Sequence, residues 1–257
     1  MLQIMGGVSR CLVAGAFAGA LFAASAARAS FIVTLQETGG PAIPVVDNGP
    51  LDADTLTPGV INVNTGALNL LLTNFTLTTL AASSNQSTGG GATPAFLTQT
   101  GSVARSNGVG TFSLTVNVAD TGFLFPATDP KQMTTSASDT FAFTSAGSSR
   151  TFQSLFDPTN STPPGAGTSS PLLVFIPPNG AGPFSTSNPG VITPLGAQPF
   201  PYGLSNTTVI TLGAAQSGVN STDQFTGSTS VTVVPEPAAA GQLLAVAGGL
   251  AMRRRRR

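Results

Sequence analysis

Histidine and tryptophan are absent from the 257 residues, and cysteine and tyrosine occur once each, as Cys11 and Tyr202. Without histidine, a Ser-His-Asp triad and any imidazole-ligated zinc or copper site are excluded. Cys11 lies at the start of an N-terminal apolar stretch, where it makes a poor lipoprotein acceptor. A chain cut beyond it has no thiol for catalysis, iron–sulfur ligation or a disulfide, so an exported domain would rest on its core alone. The sole lysine, Lys131, has Thr128 three residues before it where a Ser-Lys mechanism needs serine.

Charge is equally sparse. Between residues 30 and 234 the basic side chains are Arg105, Lys131 and Arg150, against nine acids, giving a net charge of −6 there. Nucleic acid is excluded as a partner, because phosphates need clustered Lys and Arg. A balance this mild serves mainly solubility. Glu37 is the only glutamate of the same span, and the aromatics are phenylalanines of core type. Glycosidase chemistry needs two converging carboxylates, commonly with aromatic sugar platforms, and is disfavoured. No catalytic residue, metal ligand or cofactor is expected, and an enzyme is the disfavoured class.

What the sequence does have is concentrated at its ends. Arg10, an apolar stretch over 11–26, and Ala27-Arg28-Ala29 before Ser30 form a secretory signal, with Ala27, Ala29 and Ser30 marking the cleavage site. At the other end Val233-Val234-Pro235-Glu236-Pro237 precedes an uncharged run over 238–252, and then come Arg253, Arg254, Arg255, Arg256 and Arg257. Proline fixes φ and keeps the residue before it out of the helical region, so the Pro-Glu-Pro segment is extended. The apolar run is rich in Ala and Leu and reads as a short helix. As a helix it is about 22 Å long, short of the roughly 30 Å hydrocarbon core, which argues against a permanent anchor. The arginines stop translocation, since cationic flanks stay on the cytoplasmic side.

This order of Pro-Glu-Pro, short apolar helix and terminal arginines resembles the PEP-CTERM sorting signal of bacterial exported proteins. The resemblance covers about the last two dozen residues. It implies recognition and cutting at Val234, Pro235, Glu236 and Pro237 by an exosortase, a membrane transpeptidase, after passage through the secretion translocase and signal peptidase. It further implies transient anchoring in the inner membrane, then a place at the cell surface or outside the cell. The role implied is non-catalytic, structural or adhesive, in an exopolysaccharide or biofilm setting, with exopolysaccharide a candidate partner.

Three segments follow: the signal over 1–29, a body over 30–234, and the sorting signal over 235–257. In the body, strands are expected over 31–35, 60–63, 68–80, 95–105 and 139–145, the last with Phe141 and Phe143 on one face. Residues 207–212 and 225–234 close the series. Residues 152–156 read as a strand or a helical turn. The clearest alternation sets Phe112, Leu114, Val116 and Val118 against Thr111, Ser113, Thr115 and Asn117, a period of two that buries one face. The continuous apolar run 172–176 reads as a buried strand. Pro/Gly-rich stretches at 39–59 and 177–201 read as long surface loops. About ten short strands divided by turn residues argue for an all-β fold, an antiparallel β-sandwich or jelly roll. The two terminal helices flank it.

Asp120-Thr121-Gly122 matches an aspartic-protease triplet. That chemistry needs a second carboxylate sharing a proton, so a turn is the favoured reading. Asp47-Asn48, Asp52 and Asp54 form the densest oxygen cluster. Hard cations take such ligands, but the spacing matches no EF-hand and a solvated loop is favoured. Gly89-Gly90-Gly91 lacks the lysine of a phosphate loop. Asn-x-Ser/Thr triplets at Asn74, Asn85, Asn160, Asn206 and Asn220 are expected by chance in so Ser/Thr-rich a chain. A carbohydrate- or calcium-binding module is the alternative to the structural or adhesive role.

Overall fold

The computed structural model describes residues 31–86, 93–106, 109–180, 182–214 and 218–234. The segments 1–29 and 235–257, read from the sequence as signals, lie outside them. The alternation read at 112–118 belongs to a longer strand, β6 (Phe112–Phe123), on which Leu114, Val116 and Val118 are buried. Before it come β1 (Ile32–Glu37), β2 (Ala42–Val46), β3 (Val60–Asn62), the one-turn helix α1 (Thr65–Leu68), β4 (Phe75–Ser84) and β5 (Ala95–Arg105). After it come β7 (Lys131–Ala142), β8 (Ser149–Asp157), β9 (Thr168–Ser169), β10 (Leu173–Phe175), β11 (Phe184–Gly196), β12 (Tyr202–Leu212) and β13 (Thr222–Val233).

The strands form two antiparallel sheets. One runs β10-β8-β12-β6-β1-β2, with β9 also on β8; the other runs β11-β7-β13-β5-β4-β3. From β5 onward the chain alternates sheets except at β8, β9 and β10, which share one, so β5, β7, β11 and β13 lie in one sheet and β6, β8, β9, β10 and β12 in the other. A single apolar cluster fills the space between, with Leu35, Val116 and Phe152 from one side and Leu97, Phe141 and Val231 from the other. The outer faces are polar. Hydroxyls pair across strands there, as in Ser136–Ser228 at 2.7 Å, Ser138–Thr226 at 2.8 Å and Ser83–Thr98 at 2.6 Å. Threonine suits such positions because its branched side chain fits the pleat.

Several expectations are corrected. The stretch 39–59 contains β2, and 177–201 contains the thirteen-residue β11. The span 68–80 divides into the end of α1, whose N-cap Asn64 accepts from Ala67 N, and the start of β4. Strand β7 begins at Lys131 and ends before Phe143, whose φ of 54° is in the left-handed region. Residues 152–156 are strand throughout. The run 172–176 is an edge strand, so Leu172, Val174 and Ile176 are 52%, 54% and 70% exposed.

Register fixes where the two ends of the described body lie. Ile32 pairs with Ala119 near the end of β6, and Val233 pairs with Lys131 at the start of β7. The β6–β7 connection joins those two sites, and Val234 N donates to Pro130 O at 2.8 Å. Phe31 and Val234 therefore leave the sandwich-like body from one pole. Glu37, Arg105 and α1 lie toward the opposite pole.

Candidate functional site

Of the residues assigned to sorting and processing, only Val234 is described, at the end of β13 and half-buried. Ala27, Ala29, Ser30, Pro235, Glu236, Pro237 and Arg253 to Arg257 lie outside the described residues, as does the Gly89-Gly90-Gly91 stretch. Among the described residues no helix is long and apolar enough to cross a membrane.

The acidic loop is largely exposed, as a solvated loop is, but its carboxylates are held by backbone amides. Asp52 is buried, and its carboxylate accepts Asn48 N at 3.0 Å, Asp54 N at 2.9 Å and Asn62 N at 2.9 Å. Asp54 accepts the amides of Leu56 and Thr57, and Asp47 accepts Gly59 N at 2.9 Å. The Leu56 amide and the two donors of Thr57 hold the Asp54 carboxyl below the usual range despite a little desolvation. Burial, with the charges of Asp52 and Asp54, pushes Asp47 up. These oxygens face backbone N–H groups of their own loop, which tie β2 to β3. Among the described residues no three acidic or thiol side chains converge as a metal site.

Asp120-Thr121-Gly122 is not a turn. The triplet lies within β6, opposite a register shift between Tyr202 and Leu204 of β12, and Gly122 has a φ of 86°. The shift and the glycine kink the strand, a conformation that favours a residue without Cβ. Asp120 is buried, accepts from Ser84 Oγ and from Thr121 N, and lies near Asp47. Desolvation raises its pKa to about 6. Gly122 N donates to Asn160 Oδ1 at 2.7 Å and Gly122 O accepts from Gln86 Nε2, so the segment fastens the β4–β5 and β8–β9 connections at the pole from which Phe31 and Val234 leave.

Lys131 is buried, paired with Asp129, and sits 4.3 Å from the Phe200 ring centroid. Asn206 is buried between the sheets, where its Nδ2 donates to Leu97 O at 3.0 Å and its Oδ1 accepts from Thr229 and Ser154. A side chain so enclosed is no glycan acceptor.

Sequence reasoning missed the buried ions. Arg150 of β8 crosses the core and donates to Ser138 O at 2.7 Å and Thr226 O at 2.8 Å on the opposite sheet. Its Nη1 is 3.6 Å from Asp139 Oδ1, and Asp223 of β13 lies beside Asp139. Desolvation pushes both carboxyls up and Arg150 down, with Arg150 partly offsetting the shift on the acids. At the opposite pole Glu37 accepts Thr73 N, Asn74 N and Phe75 N at 3.1, 2.8 and 3.0 Å, while Arg105 donates to Asn74 O and stacks on Phe112 at 4.3 Å. In all, nine of the twelve charged side chains of residues 31–234 are buried. The other three, Asp47, Asp54 and Asp129, bind amides or Lys131. Among the described residues no outward-facing strand position carries a charge.

No protein-family model matches the chain, and no curated protein is similar to it.

Proposed function

We propose that the chain is an exported surface or extracellular-matrix protein, sorted through its C-terminal signal, with a structural or adhesive role and no chemistry of its own. The observation that carries this reading is the position of the tail. Pro235-Glu236-Pro237 follows β13 with only Val234 between, at the pole from which Phe31 also leaves. A tether there leaves the opposite pole and both polar faces directed away from the membrane. Placement of the ions supports the non-catalytic role, since the acids tie loops or lie in the core.

On this reading the signal peptide is removed before Ser30, and the apolar run 238–252 holds the chain in the inner membrane. Arg253 to Arg257 set its orientation, because guanidiniums stay charged and are costly to move across a bilayer. An exosortase-type transpeptidase then acts at Val234, Pro235, Glu236 and Pro237. The strand order supports the finer description of the body as a jelly roll. In two parallel series β5-β13-β7-β11 and β6-β12-β8-β10 lie side by side, the pattern of a double Greek key. Exopolysaccharide is the fitting matrix partner, because uncharged hydroxylated faces suit a neutral, hydrated surrounding.

The test is fractionation of the native host. Replacing Arg253 to Arg257 with Ser is expected to release uncleaved protein into the medium. Glu236→Ala is expected to leave uncleaved protein in the membrane. Parent-like processing and release of both variants would show that the tail is no sorting signal.

A further inference from the structure

The outer face of the β11-β7-β13-β5-β4-β3 sheet carries a groove of about 440 Å³, lined mainly by serine and threonine side chains and Gln224, together with Gly101, Phe225 and Asp139, whose carboxyl is buried beside Arg150. Its shape has an identifiable cause. Between Leu77 and Thr79 the register of β4 against β5 slips by one residue, so Thr78 and Thr79, consecutive in sequence, are both exposed. A bulge of this kind bends its strand and re-aims side chains, and bulges gather beside functional sites. Gly101 of β5 completes the geometry. A Cβ there would stand 2.6 Å from the Phe225 ring, so the missing side chain lets that ring pack directly under the strand.

The groove's polar groups fall into two sets. Ser138 and Thr140 are paired, with Thr226 at 2.8 Å and Ser185 at 3.0 Å. Thr78, Thr79, Thr100, Ser102 and Gln224 make no side-chain hydrogen bond among the described residues. Four hydroxyls and one amide thus keep donors and acceptors available in one concave patch. Farther along the outer row of β5, past Thr98, Phe96 is 37% exposed, an aromatic ring on the same face. Among the described residues no ionised side chain faces outward on this sheet, so a charged ligand finds no counter-ion here and a neutral one meets no desolvation penalty from a charge.

We infer that this groove is a binding site for a neutral polysaccharide, whose hydroxyls exchange hydrogen bonds with Thr78, Thr79, Thr100, Ser102 and Gln224 while Phe96 receives an apolar sugar face. The inference rests on the matrix-protein reading above for its setting and names the contact that such a protein would make. A site built on hydroxyls and one amide binds through hydrogen bonds of about 1 kcal/mol each, so it requires several sugar units. With no ion pair involved, binding is insensitive to salt.

The test uses the full-length protein in mild detergent, with biolayer tips carrying a neutral β-glucan, a neutral α-glucan, a galactomannan or alginate. Binding to at least one neutral glycan is expected, unchanged between about 0.1 M and about 1 M salt, with none to alginate. Thr100→Glu and Gln224→Glu should each weaken it by about tenfold or more. Thr79→Val, which removes a hydroxyl and adds no charge, should weaken it in the same direction. Thr151→Glu, on the outer face of the other sheet, should leave it intact, and unfolding midpoints report whether each variant is folded. Absence of binding to every neutral glycan, tighter binding to alginate, or an equal loss with Thr151→Glu would overturn the site. The sorting proposal is unaffected by any of these results, because it fails only in the fractionation of tail variants.

Discussion

The ring of Phe152 on β8 occupies the space that a side chain at Gly227 of β13 would need: a Cβ at Gly227 would stand 2.3 Å from Phe152 Cε2 and 2.7 Å from its Cζ. The two residues belong to opposite sheets, so their contact sets how closely the sheets approach there. Gly227→Ala is expected to force the ring or the strand aside. Overpacking of this type costs about 1–3 kcal/mol. Gly101→Ala meets Phe225 in the same way. Gly182→Ala, which meets nothing within 4 Å and has no positive φ, is expected to be neutral. Urea unfolding of the three variants checks the contrast; a neutral Gly227→Ala would show that the sheets separate freely at that point.

Arg150 is the counter-charge for two carboxyls inside the core. Arg150→Met is expected to destabilise by about 3–5 kcal/mol at neutral pH, the usual cost of leaving buried charge unpaired. Adding Asp139→Asn and Asp223→Asn should restore much of the loss. The pH dependence has a definite sign. Burial raises both carboxyls, so the folded state holds protons that the unfolded chain releases. Their stabilising contribution is complete below the ordinary carboxylate range and is lost as pH rises through the folded values. Arg150→Met should therefore be less damaging at about pH 5 than at about pH 8, and a cost independent of pH would refute proton uptake by the pair.

How much of this was legible depends on how far away each residue's partner lies. Strand β6 announces itself because its apolar residues recur at every second position and its neighbours β1 and β12 bury the same face. The first half of β7 does not, because Thr135 and Ala137 point inward where a Val or Ile would have been read. Strand β11 contains Pro189 and Pro194, which read as breakers. Among the described residues it pairs only with β7, and it bulges between Asn188 and Val191 and between Pro194 and Gly196, the edge setting in which proline is tolerated. Conversely, 172–176 reads as buried because a continuous apolar run does not reveal that β10 is an edge. Buried ions were beyond reach: Arg150 meets Thr226 seventy-six residues away, and nothing local marks it as internal. The acidic loop was located correctly as a cluster, but its oxygens' partners are backbone amides, which carry no sequence signal.

Glu37 holds the β3–β4 connection against β1 through the amides of Thr73, Asn74 and Phe75. Glu37→Ala leaves three N–H groups without their acceptor and removes the acid whose charge favours the Arg105 guanidinium. A loss of about 1–3 kcal/mol is expected, and Glu37→Gln, which keeps one oxygen, should lose less. Amide hydrogen exchange at Phe75 is the specific readout. Unchanged protection there in Glu37→Ala would mean that the loop is held by other contacts.

Asp120 acts at the pole from which Phe31 and Val234 leave. Desolvation raises its carboxyl to about 6, against the hydrogen bonds from Ser84 and Thr121 that favour the charged form, and Asp47 adds like charge. An acid raised on folding stabilises when protonated. Its contribution is therefore fully present below the ordinary value of 3.8 and disappears as pH rises through about 6. The size is of order 1–3 kcal/mol between about pH 4 and about pH 7. Asp54 and Asp157 oppose it, because both are lowered: Asp157 by Ser161 and Thr159 against its burial, Asp54 by the Leu56 and Thr57 donors. Their stabilisation is lost instead as pH falls through values below 3.8, so the two trends separate on the pH axis. Asp120→Asn keeps an oxygen for the Thr121 amide and lets the Ser84 hydroxyl turn to accept. That variant should match or exceed the parent at about pH 7 and decline less steeply than the parent between about pH 5 and about pH 7. Urea midpoints of both proteins across that range decide the matter: parallel curves would place the titrating group elsewhere.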